Sequence, residues 1–598
     1  MKNKVVLDCE IYRNYFLVAF KNVDTGRTFY VESFNDSEMD LDAIRSVMRK
    51  NTTLSFNGIN FDLPVLTYAL LENNNSSIKD LSDTIIKSNL PAWQICKEKK
   101  INVPTEWDHI DLIEVAPGQS SLKIYNGRLH GKRMQDLPYD PDTILTREEA
   151  DKVREYCIND LDSTILLYNT LKPQIQLRTT MSEQYSLDLR SKSDAQIAEA
   201  VIKSELNKLT GKTYYAPKLK DDYTFQYKDP EILSFQTDQL KTIYERILEH
   251  RFTLRTNGSP ELPDWLAKTK IEIGTSVYQM GIGGLHSTEK SQFVEPKTDE
   301  ILCDMDVASY YPNIILQQRL KPESLGEPFL IVYQSIVDRR LIAKKSKDNV
   351  TSDTLKICVN GSFGKLGSKY SALYSPELLL QTTLSGQLAL LMLIETLELN
   401  GIKVVSGNTD GIVILCEKDK EAKLNAIAFD WMLQTSYELE RTDYSRVASR
   451  DVNNYIAVKP GGKYKGKGVF AEPGITKNPD RFIIFKSVAE FIANGTPIDQ
   501  TIKSCSDITQ FITVRRVTGG AEWQGNYLGK AIRFYKSSEV PYEVEINYVK
   551  NGNKVPNSAG CRPLMDLPDS FPTDIDYAYY IKEANDLLTE VGYARKTD

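Results

Sequence analysis

The sequence predicts a multidomain α/β protein, and three observations carry that expectation. Its 598 residues exceed the roughly 250–300 at which a single hydrophobic core stops growing. Two stretches, one at the start and one from Tyr278 onward, alternate strand-like runs with amphipathic helical ones. The segments between and after them are helical or mixed, with no internal repeat and no low-complexity tract. A composition of 41% hydrophobic and 26% charged residues is that of an ordinary globular chain. No run of about 18 apolar residues stands out, and Met1-Lys2-Asn3-Lys4 leads straight into a strand-like run, so neither a membrane partner nor a signal peptide is expected. Eight cysteines without a CxxC pair and four histidines argue against a zinc site or disulfide framework and predict a cytoplasmic protein. The net charge of −7 excludes only a uniformly basic nucleic-acid binder. From Asp451 to Lys536 there are 13 Lys/Arg against 7 Asp/Glu, a local excess that suits either a phosphate track or a solvated face.

Taken in order, Lys4–Leu7, Tyr15–Phe20 and Leu54–Phe56 read as strands, followed by amphipathic stretches to about Leu171. Asn57-Gly58, Pro64 and the run from Pro138 to Pro141 punctuate them. Residues 172–274 read as helical and charge-rich, with a loop at Asn257–Pro260. The second α/β region has a strand at Glu300–Met305, helices around Ser335–Lys345 and Ser352–Gly361, and a strand–turn–strand at Val404–Cys416. Short strands and helices make up the rest.

Asp8 and Glu10 are two apart on a strand and so share one face. Two acids this close repel unless a cation sits between them, a spacing that suits hard-metal ligands. Asp62 follows the Asn57-Gly58 turn, and Tyr156 and Asp160 lie one helical turn apart. Four carboxylates and a tyrosine can hold two divalent ions, activate a water and stabilise the leaving oxygen of a phosphodiester. Singly, each is more often an ion pair, cap or turn residue; together, in this order, they resemble the D-x-E, N-x3-F-D and Y-x3-D motifs of the proofreading exonuclease of family B DNA polymerases. The resemblance implies an RNase H-like 3′→5′ exonuclease domain in which Asp8, Glu10, Asp62 and Asp160 bind metal and Tyr156 orients the attacking water. Asn57 and Phe61 would contact the single-stranded 3′ end. Asp162 lies off the motif.

Asp304-Met305-Asp306-Val307-Ala308-Ser309-Tyr310-Tyr311-Pro312 reads as a strand exit, and it resembles the polymerase motif D-x-x-S-x-Y-P of the same family with its register on Asp306, not Asp304. That implies Asp306 as a ligand of both Mg²⁺ ions and Tyr311 as the residue that blocks a 2′-hydroxyl. Asn408-Thr409-Asp410-Gly411 suits a hairpin tip and resembles the family's D-T-D motif, with Asp410 as the other metal ligand. Asn408 replaces the first aspartate there, keeping an oxygen acceptor and losing a charge; activity is expected to be retained, because the family's mechanism relies on the second acid. Lys356 and Asn360, four apart on one helix face, resemble K-x3-N-S-x-Y-G, with Gly361 for the serine and Phe363 for the tyrosine. Arg340 and Lys344 match the family's R-x3-K pair, so these residues would line the nucleotide site. Tyr278, Gly283 and Gly284 resemble the template-binding Y-x-G-G loop with wider spacing. Tyr455, Lys465 and Lys467 stand where a K-x-Y motif grips the primer, Asn453 replacing its lysine.

The resemblance implies a right-hand polymerase behind the nuclease. Its parts would be an exonuclease domain over 1–175, a helical connector over 176–275, a palm over 276–320 and 365–470, fingers over 321–364 and a thumb over 471–598. Two Mg²⁺ per site, with Mn²⁺ as a substitute, primer–template DNA and dNTPs would be its ligands. A helicase or single-stranded-DNA-binding protein would be its helper, and it would act as a monomer, in the host cytoplasm if phage-encoded. Asp8 lies too near the start for the N-terminal domain of archaeal and cellular members, and the gaps between Asp306, Lys356 and Asp410 are too short for protein-priming insertions, so a phage-like enzyme that extends an existing primer is expected. A nuclease with a decayed polymerase half, a non-catalytic primer–template binding factor and self-primed synthesis remain open alternatives at this point.

Overall fold

The strand-forming residues at the start of the chain pair with their nearest neighbours in sequence. In the computed structural model, which describes residues 2–220 and 222–594, Lys4–Tyr12 and Tyr15–Asn22 form an antiparallel hairpin, Val5 facing Asn22 and Tyr12 facing Tyr15. Thr28–Phe34 extends it on the outer side. Thr52–Ser55 and His109–Asp111 continue it on the other side, running parallel, to give a five-stranded mixed sheet. Parallel neighbours need crossovers, and helices supply them. One face buries Val6, Leu17, Leu54 and Ile110 against Val153, Cys157 and Leu161 of the helix Arg147–Tyr185. The other packs Leu7 and Val18 against Ile44, Leu66 and Ile78. The long helix opens with a capping box between Thr146 and Glu149 and runs through Pro173 to Tyr185. A boundary at 175 therefore falls inside one continuous helix.

The chain is a mixed α/β multidomain protein with two units, each drawn from three stretches. The first takes Met1–Ser193, Pro473–Ile483 and Lys503–Tyr580; the second takes Asp194–Glu472, Ile484–Ile502 and Ile581–Asp598. The expected thumb over 471–598 is thus divided between them, and the expected connector over 176–275 is divided at 193. For the C-terminal stretch the reason is visible in the first unit. Thr513–Trp523 and Asn526–Lys536 pair antiparallel, and Arg533 on the second strand is 0% exposed. Its Nε donates to the Leu564 carbonyl at 2.7 Å and its Nη1 to the Gly131 carbonyl at 3.0 Å. A buried guanidinium needs such acceptors, so this basic residue is a structural clasp and not part of a phosphate track.

The second unit is built on a seven-stranded antiparallel sheet. Its order is Leu439–Tyr444, Glu300–Val307, Gly411–Glu417, Lys403–Asn408, Leu285–Ser287, Ser276–Met280, Ile271–Ile273. Pro376–Leu399 is long and apolar enough to cross a membrane by length and composition, but 89% of its apolar window is buried. Its Leu384, Leu388 and Leu391 pack with Ile412, Ile414 and Val404 of the sheet. Tyr227, Leu240 and Leu266 belong to the same core. The buried Glu395 of the long helix accepts from the Gln236 and Thr237 backbone N–H groups at 2.8 and 2.7 Å, so the supposed connector residues are integral to this unit. Glu327–Lys345 and Asn349–Leu366 form a helical pair that packs against Asp194–Thr210. Gly361 explains itself here: a Cβ would lie 2.5 Å from the Asp194 carbonyl oxygen, so the serine of the family pattern would not fit. A separate four-stranded antiparallel sheet joins Gln292–Val294, Arg446–Asp451, Asn454–Val458 and Tyr464–Gly466.

Candidate functional site

In the first unit, period-two geometry brings Asp8 and Glu10 of the opening strand to one face. Their carboxylate oxygens and the Cys157 sulfur all lie within 4.8 Å of one another. Asp62 begins the helix Asp62–Ala69 and accepts from the Cys9 backbone N–H at 3.1 Å. Tyr156 and Asp160 come from the long helix. Burial, then the charges of Asp62, Glu10 and Asp160, raises the Asp8 carboxyl well above the usual range. Burial, then Asp160, does the same to Glu10, with Lys123 opposing. Asp62 is pushed up to about 7 by burial and Asp111, and Asp160 to about 6 by burial. Cys157 is raised too, chiefly by burial, its Sγ 3.7 Å from Asp8 Oδ2. The four carboxylates are hard oxygen donors, a set that fits Mg²⁺ or Mn²⁺.

Residues invisible as motifs complete this site. Asp111, at the end of the fifth strand, accepts from the Asn57 and Ile59 backbone N–H groups at 2.8 and 2.9 Å. It thereby fixes the turn on which Asn57 stands at φ +69°. The Asn57 side-chain oxygen accepts from Asn60, and Phe61 is half-buried beside it. Lys123, ion-paired with Asp136, places its Nζ 5.1 Å from the Tyr156 ring centroid. Asp162 points away to a 2.5 Å ion pair with Lys21.

In the second unit Asp306 faces Gly411 across the ladder, and Gly411 faces Asn408. Glycine at 411 leaves room for the Asp306 carboxylate, since a Cβ there would lie 1.9 Å from Asp306 Oδ1 and force that side chain to move. Asp410 sits at the hairpin tip, held where its carbonyl accepts from Val307 N–H at 2.7 Å, while Thr409 N–H donates to the Leu285 carbonyl at 2.8 Å. Both aspartates are exposed, yet the cleft walls withdraw enough water to raise each. For Asp306 the charge of Asp410 adds to this; Lys465 and Lys467 pull both down. These four residues, with Asp304, Tyr444 and Tyr455, line a cavity of about 240 Å³. Asp304 is raised to about 6 by burial and then by Asp306, and accepts from the Tyr444 hydroxyl at 3.2 Å. Lys467 Nζ lies 5.7 Å from the Tyr455 ring centroid. Asn453 occupies the turn before Tyr455, its N–H donating to Asp451. The Asn408 amide is used locally: Nδ2 donates to the Val452 carbonyl and Oδ1 accepts from Thr409 Oγ1. Asp306 and Asp410 are hard donors at the mouth of a polar cleft, and they too fit Mg²⁺.

The remaining predicted residues divide. Tyr311 stacks on Phe363 with centroids 4.5 Å apart and planes at 27°, and its hydroxyl donates to the Gly283 carbonyl at 2.8 Å. Gly284 abuts Thr409. Arg340 reaches the Ser309 hydroxyl at 3.3 Å, and Lys344, Lys356 and Asn360 are exposed on their helices. Tyr278 is 0% exposed and belongs to the sheet core. The spacing of Asp304 from Asp306 repeats that of Asp8 and Glu10, although the motif register falls on Asp306.

No family model matches the chain, and no curated protein matches it. Among solved structures it is similar to the family B DNA polymerase from the hyperthermophilic archaeon Pyrobaculum calidifontis, at 12% identity and a TM-score of 0.41, over 100% of this chain and 79% of that one. The likeness is distant.

Proposed function

We propose that the protein is a family B, DNA-directed DNA polymerase with a 3′→5′ proofreading exonuclease, acting in phage genome replication. The observation that carries the reading is the cavity in which Asp306 and Asp410 lie with Lys465 and Lys467. Acids that can hold cations, bordered by lysines that can hold phosphates, are what phosphoryl transfer between polyanions requires. The Tyr311–Phe363 stack and the exposed Lys344, Lys356 and Asn360 belong to the same unit.

In this reading Asp306 and Asp410 hold two Mg²⁺, which when bound stabilise charge on the attacking and leaving oxygens. The primer 3′-hydroxyl attacks the α-phosphate of a dNTP and pyrophosphate leaves. Lys465, Lys467 and Tyr455 position the primer backbone without reading its sequence. Arg340, Lys344, Lys356 and Asn360 receive the triphosphate, and Tyr311 excludes a 2′-hydroxyl. In the first unit Asp8, Glu10, Asp62 and Asp160 hold the ions, Tyr156 orients the water, and Asn57 and Phe61 hold an unpaired 3′ end. The five-stranded mixed sheet that carries Asp8 and Glu10 supports taking this unit as RNase H-like. The enzyme works as a cytoplasmic monomer alongside a helicase or single-stranded-DNA-binding protein.

The test is a labelled primer–template with Mg²⁺, with and without dNTPs, for wild type, Asp306→Ala and Asp8→Ala/Glu10→Ala. Extension with dNTPs and degradation without them, each lost in its own variant, is the expected result. Degradation that ignores added dNTPs would leave a nuclease alone. DNA binding with neither reaction would leave a binding factor.

A further inference from the structure

The cavity of the second unit holds more acid than Asp306 and Asp410 account for. Asp304, Val413 and Ser406 form one row across three adjacent strands, directly behind the row of Asp306, Gly411 and Asn408. Residues two apart on a strand share a face, so Asp304 projects beside Asp306, as Glu10 does beside Asp8. At the other end of its row, Ser406 Oγ donates to Glu289 Oε1 at 2.6 Å. Glu289 Oε2 is sealed from solvent and has no hydrogen-bond partner among the described residues. The same is true of Ser449 Oγ, on a residue only 3% exposed. Both residues line the cavity with Asp304. Buried polar atoms are left unpaired rarely and at a cost, so two of them around one acid-lined cavity point to a ligand. Asn408 cannot supply a charge, and both ends of its amide are engaged.

We propose that Asp304 is a ligand of a divalent cation in this cavity, pairing with Asp306 and supplying the charge that Asn408 does not. The inference rests on reading the cavity as a metal centre. Glu289 Oε2 and Ser449 Oγ lie in the shell outside the ligands, where hydrogen bonding tunes affinity. Tyr444, donating to Asp304 Oδ2, orients the carboxylate and leaves Oδ1 for the ion.

The test counts Mn²⁺ bound by the full chain, from the free-ion electron paramagnetic resonance signal, in an Asp8→Asn/Glu10→Gln background that removes ions held by the first unit. Asp304→Asn, which is isosteric and still accepts from Tyr444, is expected to weaken binding by about 10- to 100-fold. Asp304→Glu keeps the charge and should retain most of the affinity, and adding Asn408→Asp to Asp304→Asn should recover part of it. Affinity unchanged by Asp304→Asn but lowered by Asp306→Asn overturns the proposal while leaving the metal centre intact. Affinity unchanged by both overturns the metal-centre reading itself, and the proposal with it.

Discussion

In the first unit Asp62 and Asp160 are 2% and 9% exposed, whereas in the second Asp306 and Asp410 are open to solvent. Both clusters begin with acids two apart on a strand and add acids from elsewhere, Asp62 and Asp160 in the first and Asp410 in the second, so the main difference is depth and neighbours. With Asp8 and Glu10 oxygens within 4.8 Å, an effective dielectric of about 20 gives roughly 3 kcal/mol of repulsion when both ionise. Lys123, which acts on Glu10 and Asp160, is a single positive charge already paired with Asp136, so it offsets only part of the set; a bound divalent cation would offset more. In the second unit Lys465 and Lys467 draw both acids down and are themselves exposed, so the same lysines can also meet phosphates. A deep, acid-dominated site suits a narrow single-stranded end. An open site with both signs of charge suits a duplex and a nucleotide together.

The largest effect should come from removing the acids. Asp306→Ala should lower extension by at least about 10³-fold, the scale of several kcal/mol of lost charge stabilisation, with degradation rates unchanged. Asp8→Ala/Glu10→Ala should do the reverse, and a variant that abolishes both activities would break the comparison. Next comes acid. His109, wedged between the Thr53 and Ser55 hydroxyls at 2.9 and 3.0 Å, is lowered to about 4 by burial. Because the folded ring resists protonation, its contribution is complete above the ordinary value of about 6.5 and is lost as pH falls toward 4, a swing of roughly 3 kcal/mol. The raised acids nearby act in the opposite sense, so the observable is the difference between wild type and His109→Gln. Chemical unfolding at pH 7 and pH 5 should show that difference shrinking in acid; equal differences would remove His109 from the account. The smallest effect is Lys465→Ala, which should lower the slope of log affinity for primer–template against log salt by about 1. An unchanged slope would mean that Lys465 serves the acids and not the DNA.

Much of both sites was legible because it depends on local periodicity. The two-residue spacing of Asp8 and Glu10 needs only a strand, and that of Tyr156 and Asp160 only a helix. Asp111 and Lys123 were not legible, since each meets the cluster through the tertiary fold and has no fixed spacing from it. Asp304 is legible as a strand partner of Asp306, but the motif register falls on Asp306 alone. Glu289 became visible only when strand order brought Ser406 to it. The ranges expected for the thumb and connector are divided between the two units for a related reason. Glu395 binding the Gln236 and Thr237 amides, and Arg533 binding the Gly131 and Leu564 carbonyls, are long-range bonds that leave no local pattern.

Arg533 also sets a timetable. Strands that complete the first unit are translated after nearly all of the second, whose bulk lies between Asp194 and Glu472. At 5–20 residues per second, the Gly131 carbonyl waits roughly 20–80 s after Ser193 is made before residues up to 580 exist to finish the unit around it. A fragment stopped at Ser193 never receives that guanidinium. The first unit is therefore not a module that one cut can release, and an excised version must carry its late-synthesised strands grafted back on.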